Sequence, residues 1–211
     1  MKADSREIVV LVHGVWMRGV ELKVLAWRLS RAGYAPRMFH YPSLHCSPEE
    51  NGKALAHYLK QFGATRVHLV AHSLGGLVVC HALASDVPSN LGRVVMLASP
   101  LHGSQSAQRL QTWGLGWILG KSRKEGLLGG RPPWPAAQAL AMIAGTRPCG
   151  LGGLLPGKLP RPHDGTIALI ETQAPEVSDF MVVPHSHFGM LFARDVAGAV
   201  ARYLGSGAFY D

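Results

Sequence analysis

A chain of 211 residues is long enough to bury one complete α/β core and short for two, so a single domain over residues 1–211 is expected. Its composition, 47% hydrophobic and 16% charged, excludes a disordered chain, and no apolar run reaches the about 18 residues that a membrane span needs. The formal net charge of +8 would suit nucleic acid or an anionic surface, but the basic residues are scattered apart from Lys121, Arg123 and Lys124. No aromatic-and-basic signature accompanies them, and nucleic acid is not expected as a partner. Cys46, Cys80 and Cys149 cannot all pair within one chain and lack metal-ligand spacing, so reduced thiols are expected, with Cys80 in the core. The segment ahead of the first apolar run, residues 2–7, is polar and carries no signal-peptide core. A cytoplasmic location is expected.

Residues 8–12 form a continuous, mostly β-branched run, the pattern of a parallel strand buried on both faces, and end in His13-Gly14. Apolar residues at three- and four-residue steps predict a helix over 20–32, stopped by Gly33, and a second strand over 35–41 follows. Ser47-Pro48-Glu49-Glu50 is a helix start, with serine at the N-cap, proline in the first turn and acids behind it, for a helix running to about Gln61. Residues 66–70 read as a buried strand, 77–84 as a helix and 93–97 as the next strand. Regularity then lapses from residue 104 to about 135, an insert holding Trp113, Trp117, Ile118 and Leu119 beside the basic cluster. Residues 139–146 are the next buried strand, 147–163 a Gly/Pro-rich loop suited to passing over a site mouth, and 180–183 the last strand. A closing helix is expected to open at 185–191 and reach about Tyr203. Alternating strands and helices at this spacing predict an α/β fold with a doubly wound, mainly parallel sheet and helices on both faces.

Ser73 lies at the corner between the 66–70 strand and the helix after it. A side chain two positions either side of such a corner would collide with the neighbouring strand and helix, and Ala71 and Gly75 are small. A helix-capping serine is the plainer reading of the same residue. Asp164 precedes Gly165-Thr166 after the penultimate strand, and His187-Phe188-Gly189-Met190-Leu191 follows the last one.

With His13-Gly14 ending the first strand, this order resembles the α/β-hydrolase-fold serine esterases and lipases, in pattern the minimal bacterial lipases and the inositol-deacylase-like group. The resemblance runs from Ile8 to about Tyr203. It implies a minimal α/β-hydrolase fold without two leading antiparallel strands, a cap or lid in the insert over 104–135, and a Ser73, Asp164, His187 triad. A serine hydroxyl needs an imidazole to take its proton, and the imidazole needs a carboxylate to fix its tautomer. By the same resemblance the amides of Val15 or Trp16 and of Leu74 form the oxyanion hole. Ala71 replaces the glycine of G-x-S-x-G by one methyl.

His185 is the rival base. Asp179 lies at the wrong end of the final strand, Asp195 inside the closing helix, and Asp86 after the nucleophile helix, which leaves Asp164 as the acid. His13 reads as a loop-tying residue at the pocket, His72 as one that packs or bonds locally beside the serine, and His102 and His163 as pocket-edge residues. His40, His45, His57, His68 and His81 have no partner visible in the sequence. Trp113 and Trp117 fit either a pocket wall or, with the neighbouring cations, a peripheral membrane contact, and the short glycine-broken segment favours the wall. Neither zinc spacing, a dinucleotide G-x-G-x-x-G nor a phosphate-binding loop is present, so no metal and no cofactor are expected. The reaction expected is hydrolysis of a small-molecule or lipid carboxylic ester through an acyl-enzyme. Thioester, amide or acyl-transfer chemistry on the same triad, and a non-catalytic binding protein on the same fold, are the alternatives.

Overall fold

The computed structural model describes residues 6–150 and 159–210. Six strands build one sheet: β1 (Ile8–Val12), β2 (Ala35–Phe39), β3 (Val67–His72), β4 (Leu91–Leu97), β5 (Leu140–Gly145) and β6 (Val177–Val183), in the order β2-β1-β3-β4-β5-β6. Every pairing is parallel, so the sheet is wholly parallel rather than mainly so. Parallel neighbours require crossovers, and the helices that make them cover both faces. α1 (Lys23–Arg31) and α6 (Arg194–Ser206) pack on one side, α2 (Pro48–Leu59) and α3 (Leu74–Ser85) on the other. Alternation along β1 shows why both faces must be apolar: Ile8, Val10 and Val12 enter the core under α2 and α3, while Val9 and Leu11 enter the core under α1 and α6. The chain reverses its winding direction between β1 and β3, which opens a crevice at their carboxyl ends.

α2 starts where the sequence places it. Ser47 Oγ accepts from the Glu50 amide at 3.1 Å, and Glu50 Oε2 accepts from the Ser47 amide at 2.6 Å, a reciprocal cap with Pro48 in the first turn. Its last expected residues, 60 and 61, belong instead to a 3-10 turn over 60–62, and residues 20–22 ahead of α1 form another. The described part of the 147–163 loop excludes residues 151–158, and the expectation that this loop crosses a site mouth lies there outside the described residues, as do residues 2–5 of the leading polar segment.

Four expectations are corrected. The helix after Ser73 begins at Leu74, not Leu77, because the apolar run there is buried on every side and carries no stripe to mark its start. The insert is not irregular throughout: α4 (Gln105–Thr112) lies in it, capped by Ser104 Oγ, which accepts from the Ala107 amide. β6 begins at Val177, which puts Asp179 within the strand, where its carboxylate accepts from the Phe209 amide at 2.7 Å. The closing helix α6 begins at Arg194, not at residue 185. Extended backbone at Ala193 separates it from a 3-10 turn over 189–192, and residues 185–188 are a loop pinned to the Asp164 turn, where the His187 amide donates to the Asp164 carbonyl at 2.9 Å.

Candidate active site

Four loops at the carboxyl ends of the strands meet over the crevice: 13–18 after β1, Ser73 after β3, the Asp164 turn after β5 and His187 after β6. The corner at Ser73 is set by packing beneath it. A methyl at Gly75 would come within 2.5 Å of the Val12 carbonyl oxygen and 2.6 Å of that of His13, and one at Gly76 would strike Ser99. The helix therefore approaches β1 so closely that the connection is a single residue, and Ser73 takes φ 54°, ψ −122°, a conformation that side chains other than hydrogen rarely adopt. Its amide donates to the Leu97 carbonyl at 2.9 Å. Its hydroxyl makes no helix-capping bond, which removes the plainer reading of this residue. The Leu74 amide, at the first position of α3, belongs to the donors an α-helix cannot satisfy internally.

Asp164 and His187, both buried, meet across the mouth of the sheet, with His187 Nδ1 and Asp164 Oδ2 2.6 Å apart. The carboxylate is held from its other oxygen, Oδ1, which accepts from the Thr166 amide at 2.9 Å and the Ile167 amide at 2.7 Å. With Asp164 accepting, the proton of the imidazole sits on Nδ1 and its Nε2 carries the lone pair. A cavity of about 30 Å³, room for one water, is bounded by Gly14, Met17, Ser73, Thr166, His187 and Phe188. Val15, Trp16 and His72 complete its wall.

His72 bonds across the chain rather than locally: its Nε2 donates to the His187 carbonyl at 3.1 Å, and the two rings lie 4.6 Å apart. Burial, then the neighbouring His187, holds its pKa well below the usual imidazole value. Gly14 packs tightly beside it, since a methyl there would lie 3.1 Å from His72 Nδ1 and 3.0 Å from Met17 Sδ. His185, the rival base, pairs with Asp195 at 2.9 Å, and neither borders the Ser73 cavity.

The expected binding residues divide. His13 is buried, bonds the Gly14 carbonyl through Nδ1 at 2.9 Å, stacks on Tyr41 at 4.2 Å and has its pKa lowered by burial. It borders a second cavity of about 660 Å³ that shares Trp16 and Met17 with the first. His102 lies in another cavity, with Gln105 and Glu171, away from Ser73. Trp113 and Trp117 border neither cavity beside Ser73, and they are 38% and 71% exposed, because the insert is clamped down through other residues. Trp16 Nε1 donates to the Ile118 carbonyl at 2.9 Å, the Lys121 amide to the Leu44 carbonyl at 2.9 Å and Ser122 to the Ser43 carbonyl.

Sequence reasoning missed Glu171, on α5 (Leu169–Thr172). It is buried and its carboxylate accepts from the Gln105 amide at the head of α4, at 2.5 Å, and from the Ala168 amide at 2.6 Å, while Ser106 Oγ donates to the Thr166 carbonyl at 2.6 Å. The insert and the Asp164 turn are thereby one bonded unit. Burial raises the Glu171 pKa despite those two donors. A lone glutamate in a surface-like stretch carries no sequence signal for this.

Among the described residues no group of three or more His, Cys, Asp or Glu side chains is arranged to hold a metal, and no helix is long and apolar enough to cross a membrane. No curated protein matches the chain. Solved structures that it resembles include the mature lipase BlEst2 of Bacillus licheniformis, at 18% identity and TM-score 0.79, over 97% of this chain and 93% of that one. The metagenomic carboxyl esterase MGS0156 is 17% identical with TM-score 0.68, over 88% of this chain and 65% of that one. Phospholipase PlaB of Legionella pneumophila, solved with thio-NAD, is 16% identical with TM-score 0.67, over 94% and 61%. At these identities the likeness shows the fold. The Alpha/beta hydrolase family matches residues 9–207, nearly the whole chain, and the protein belongs to that family.

Proposed function

We propose that the protein hydrolyses carboxylic esters through an acyl-enzyme on Ser73. The observation that carries this reading is the buried Asp164–His187 pair, 2.6 Å apart, whose histidine walls the same small cavity as a serine held in a strained corner. Ser73 Oγ attacks the ester carbonyl as His187 Nε2 takes its proton. Asp164 keeps the imidazole in the tautomer that can accept and stabilises the cation that results. The amides of Leu74 and of Val15 or Trp16 receive the oxyanion, the alcohol leaves with the proton from His187, and water repeats the sequence on the acyl-enzyme.

The lipase and esterase named above, similar in fold, favour ester chemistry over amide or thioester cleavage. The bonds of Ile118, Lys121 and Ser122 to Trp16, Leu44 and Ser43 favour the insert, residues 104–135, as a support packed behind the loops that wall the cavity. The test is turnover of p-nitrophenyl esters of graded chain length. Wild type is expected to hydrolyse them, and Ser73→Ala to lower kcat/KM by at least about 10⁴-fold. Equal rates in both proteins would end the proposal.

A further inference from the structure

The cavity of about 660 Å³ beside Ser73 is lined by apolar Trp16, Met17 and Leu44 and by the basic side chains Arg18, His40 and His45. No carboxylate belongs to its wall. Glu21, whose field reaches His13, stands outside the wall. Among the described residues Arg18 has no ion-pair partner, whereas Lys121, whose amide bonds the Leu44 carbonyl beside the cavity, lies 3.8 Å from Glu50.

The His40 imidazole is preset rather than loose. His40 Nδ1 donates to the Arg18 carbonyl at 2.8 Å, which ties the two residues together and leaves Nε2 available. Gly19, at φ 91°, lets the ring lie close, since a methyl there would come within 3.1 Å of it. Tyr41 is committed elsewhere, its hydroxyl donating to the His13 carbonyl at 2.6 Å. The cavity therefore offers the Arg18 guanidinium and ring nitrogens with no carboxylate in the wall itself.

We infer that Arg18, with His40 and His45, forms a subsite for an oxyanion, phosphate or carboxylate, carried on one arm of the ester substrate. The inference rests on the proposed function, since the subsite is defined relative to an ester at Ser73. The apolar residues take the chain between the ester and the charged end. A guanidinium is suited to this work because its planar donors match both groups and it stays charged at every relevant pH. His40 and His45 line the same wall and set ring nitrogens beside the guanidinium.

The experiment compares two matched pairs at fixed ionic strength. The first pair is p-nitrophenyl hexanoate and mono-p-nitrophenyl adipate, with a carboxylate on the acyl arm. The second is monohexanoylglycerol and hexanoylglycerophosphate, with a phosphate on the alcohol arm. Wild type is expected to favour the charged member of one pair by about tenfold in kcat/KM, the factor that one charge-assisted contact supplies. The pair that responds identifies the arm and the anion. Arg18→Gln is expected to bring that ratio near one, and Arg18→Lys to keep part of it. Neutral members turned over as well or better in both pairs, or a ratio that Arg18→Gln leaves intact, overturn the inference. If wild type turns over none of the four, ester hydrolysis is what has failed, and calorimetric titration with inorganic phosphate decides the subsite. Saturable binding that Arg18→Gln abolishes upholds it, and equal heats in both proteins overturn it.

Discussion

Among the described residues Ser73 is one of four other than glycine with positive φ, and Trp16, at φ 60° in the wall of the same cavity, is another. Backbone held in such regions costs about 1–3 kcal/mol per residue, and two of the four border one small cavity. Replacing Ser73 by glycine relieves its share, against the extra chain entropy a glycine loses on folding. Ser73→Gly is expected to raise the unfolding free energy by about 1 kcal/mol in urea titrations while removing esterase activity, whereas Ser73→Ala, which keeps the strain, removes activity without that gain. Equal stability of the glycine and alanine variants would mean that the corner stores no strain. The motif around Ser73 was legible because its requirements are steric: Gly75 has no room for a methyl against the Val12 and His13 carbonyls. Arg18, His40 and His45 were not legible as a group. They become neighbours only because β1 pairs with β2 in a register that sets Val12 beside Phe39, bringing the loops after both strands to one edge.

At the scale of elements, the strands were readable because burial on both faces demands unbroken apolar runs, and β3, for example, is buried along its whole length. The insert was not. α4 has the sequence QSAQRLQT, with too few apolar positions to mark a helical stripe, and its stability comes instead from a serine cap and from Glu171. The start of α6 was misread because Phe188, Met190 and Leu191 imitate helical spacing while Ala193, at its true start, supplies no side-chain cap. Glu171 is where the insert and the Asp164 turn depend on each other. Glu171→Ala leaves two amides without their acceptor and is expected to cost about 1–3 kcal/mol in urea unfolding, with accelerated amide exchange at Gln105 and Ala168. Glu171→Gln, which keeps an acceptor oxygen, is expected to cost less. No loss in the alanine variant would show that the insert is held by its other contacts.

Across the whole molecule, two apolar cores on either side of one parallel sheet carry the stability, and His13, His68, His72 and His187 are buried among the described residues. Burial lowers the pKa of His13, His68 and His72 from the ordinary 6.5, most strongly for His72. The unfolded chain then binds protons that the folded chain refuses. Stability from these groups is fully present above the unfolded value and declines as pH falls from about 6.5 towards the folded values, by up to about 1.4 kcal/mol per pH unit for each histidine. Glu171 acts in the opposite sense: with its folded pKa raised above 4.5, its contribution is present below that value and is lost as pH rises through the folded one. Urea midpoints are expected to be level above about pH 7.5 and to fall below about pH 6.5, with a shallower fall in His72→Gln. A midpoint that rises on acidification through that range would contradict the burial of these rings.

The same architecture gathers the ends of β1, β3, β5 and β6 around one serine, and the account stands on that serine being the nucleophile. Labelling with a fluorophosphonate, read by intact mass and peptide mapping, tests this most directly. One adduct per chain on Ser73, lost in Ser73→Ala and strongly slowed in His187→Ala, is the result predicted. No adduct, or an adduct mapped to another residue, would contradict it.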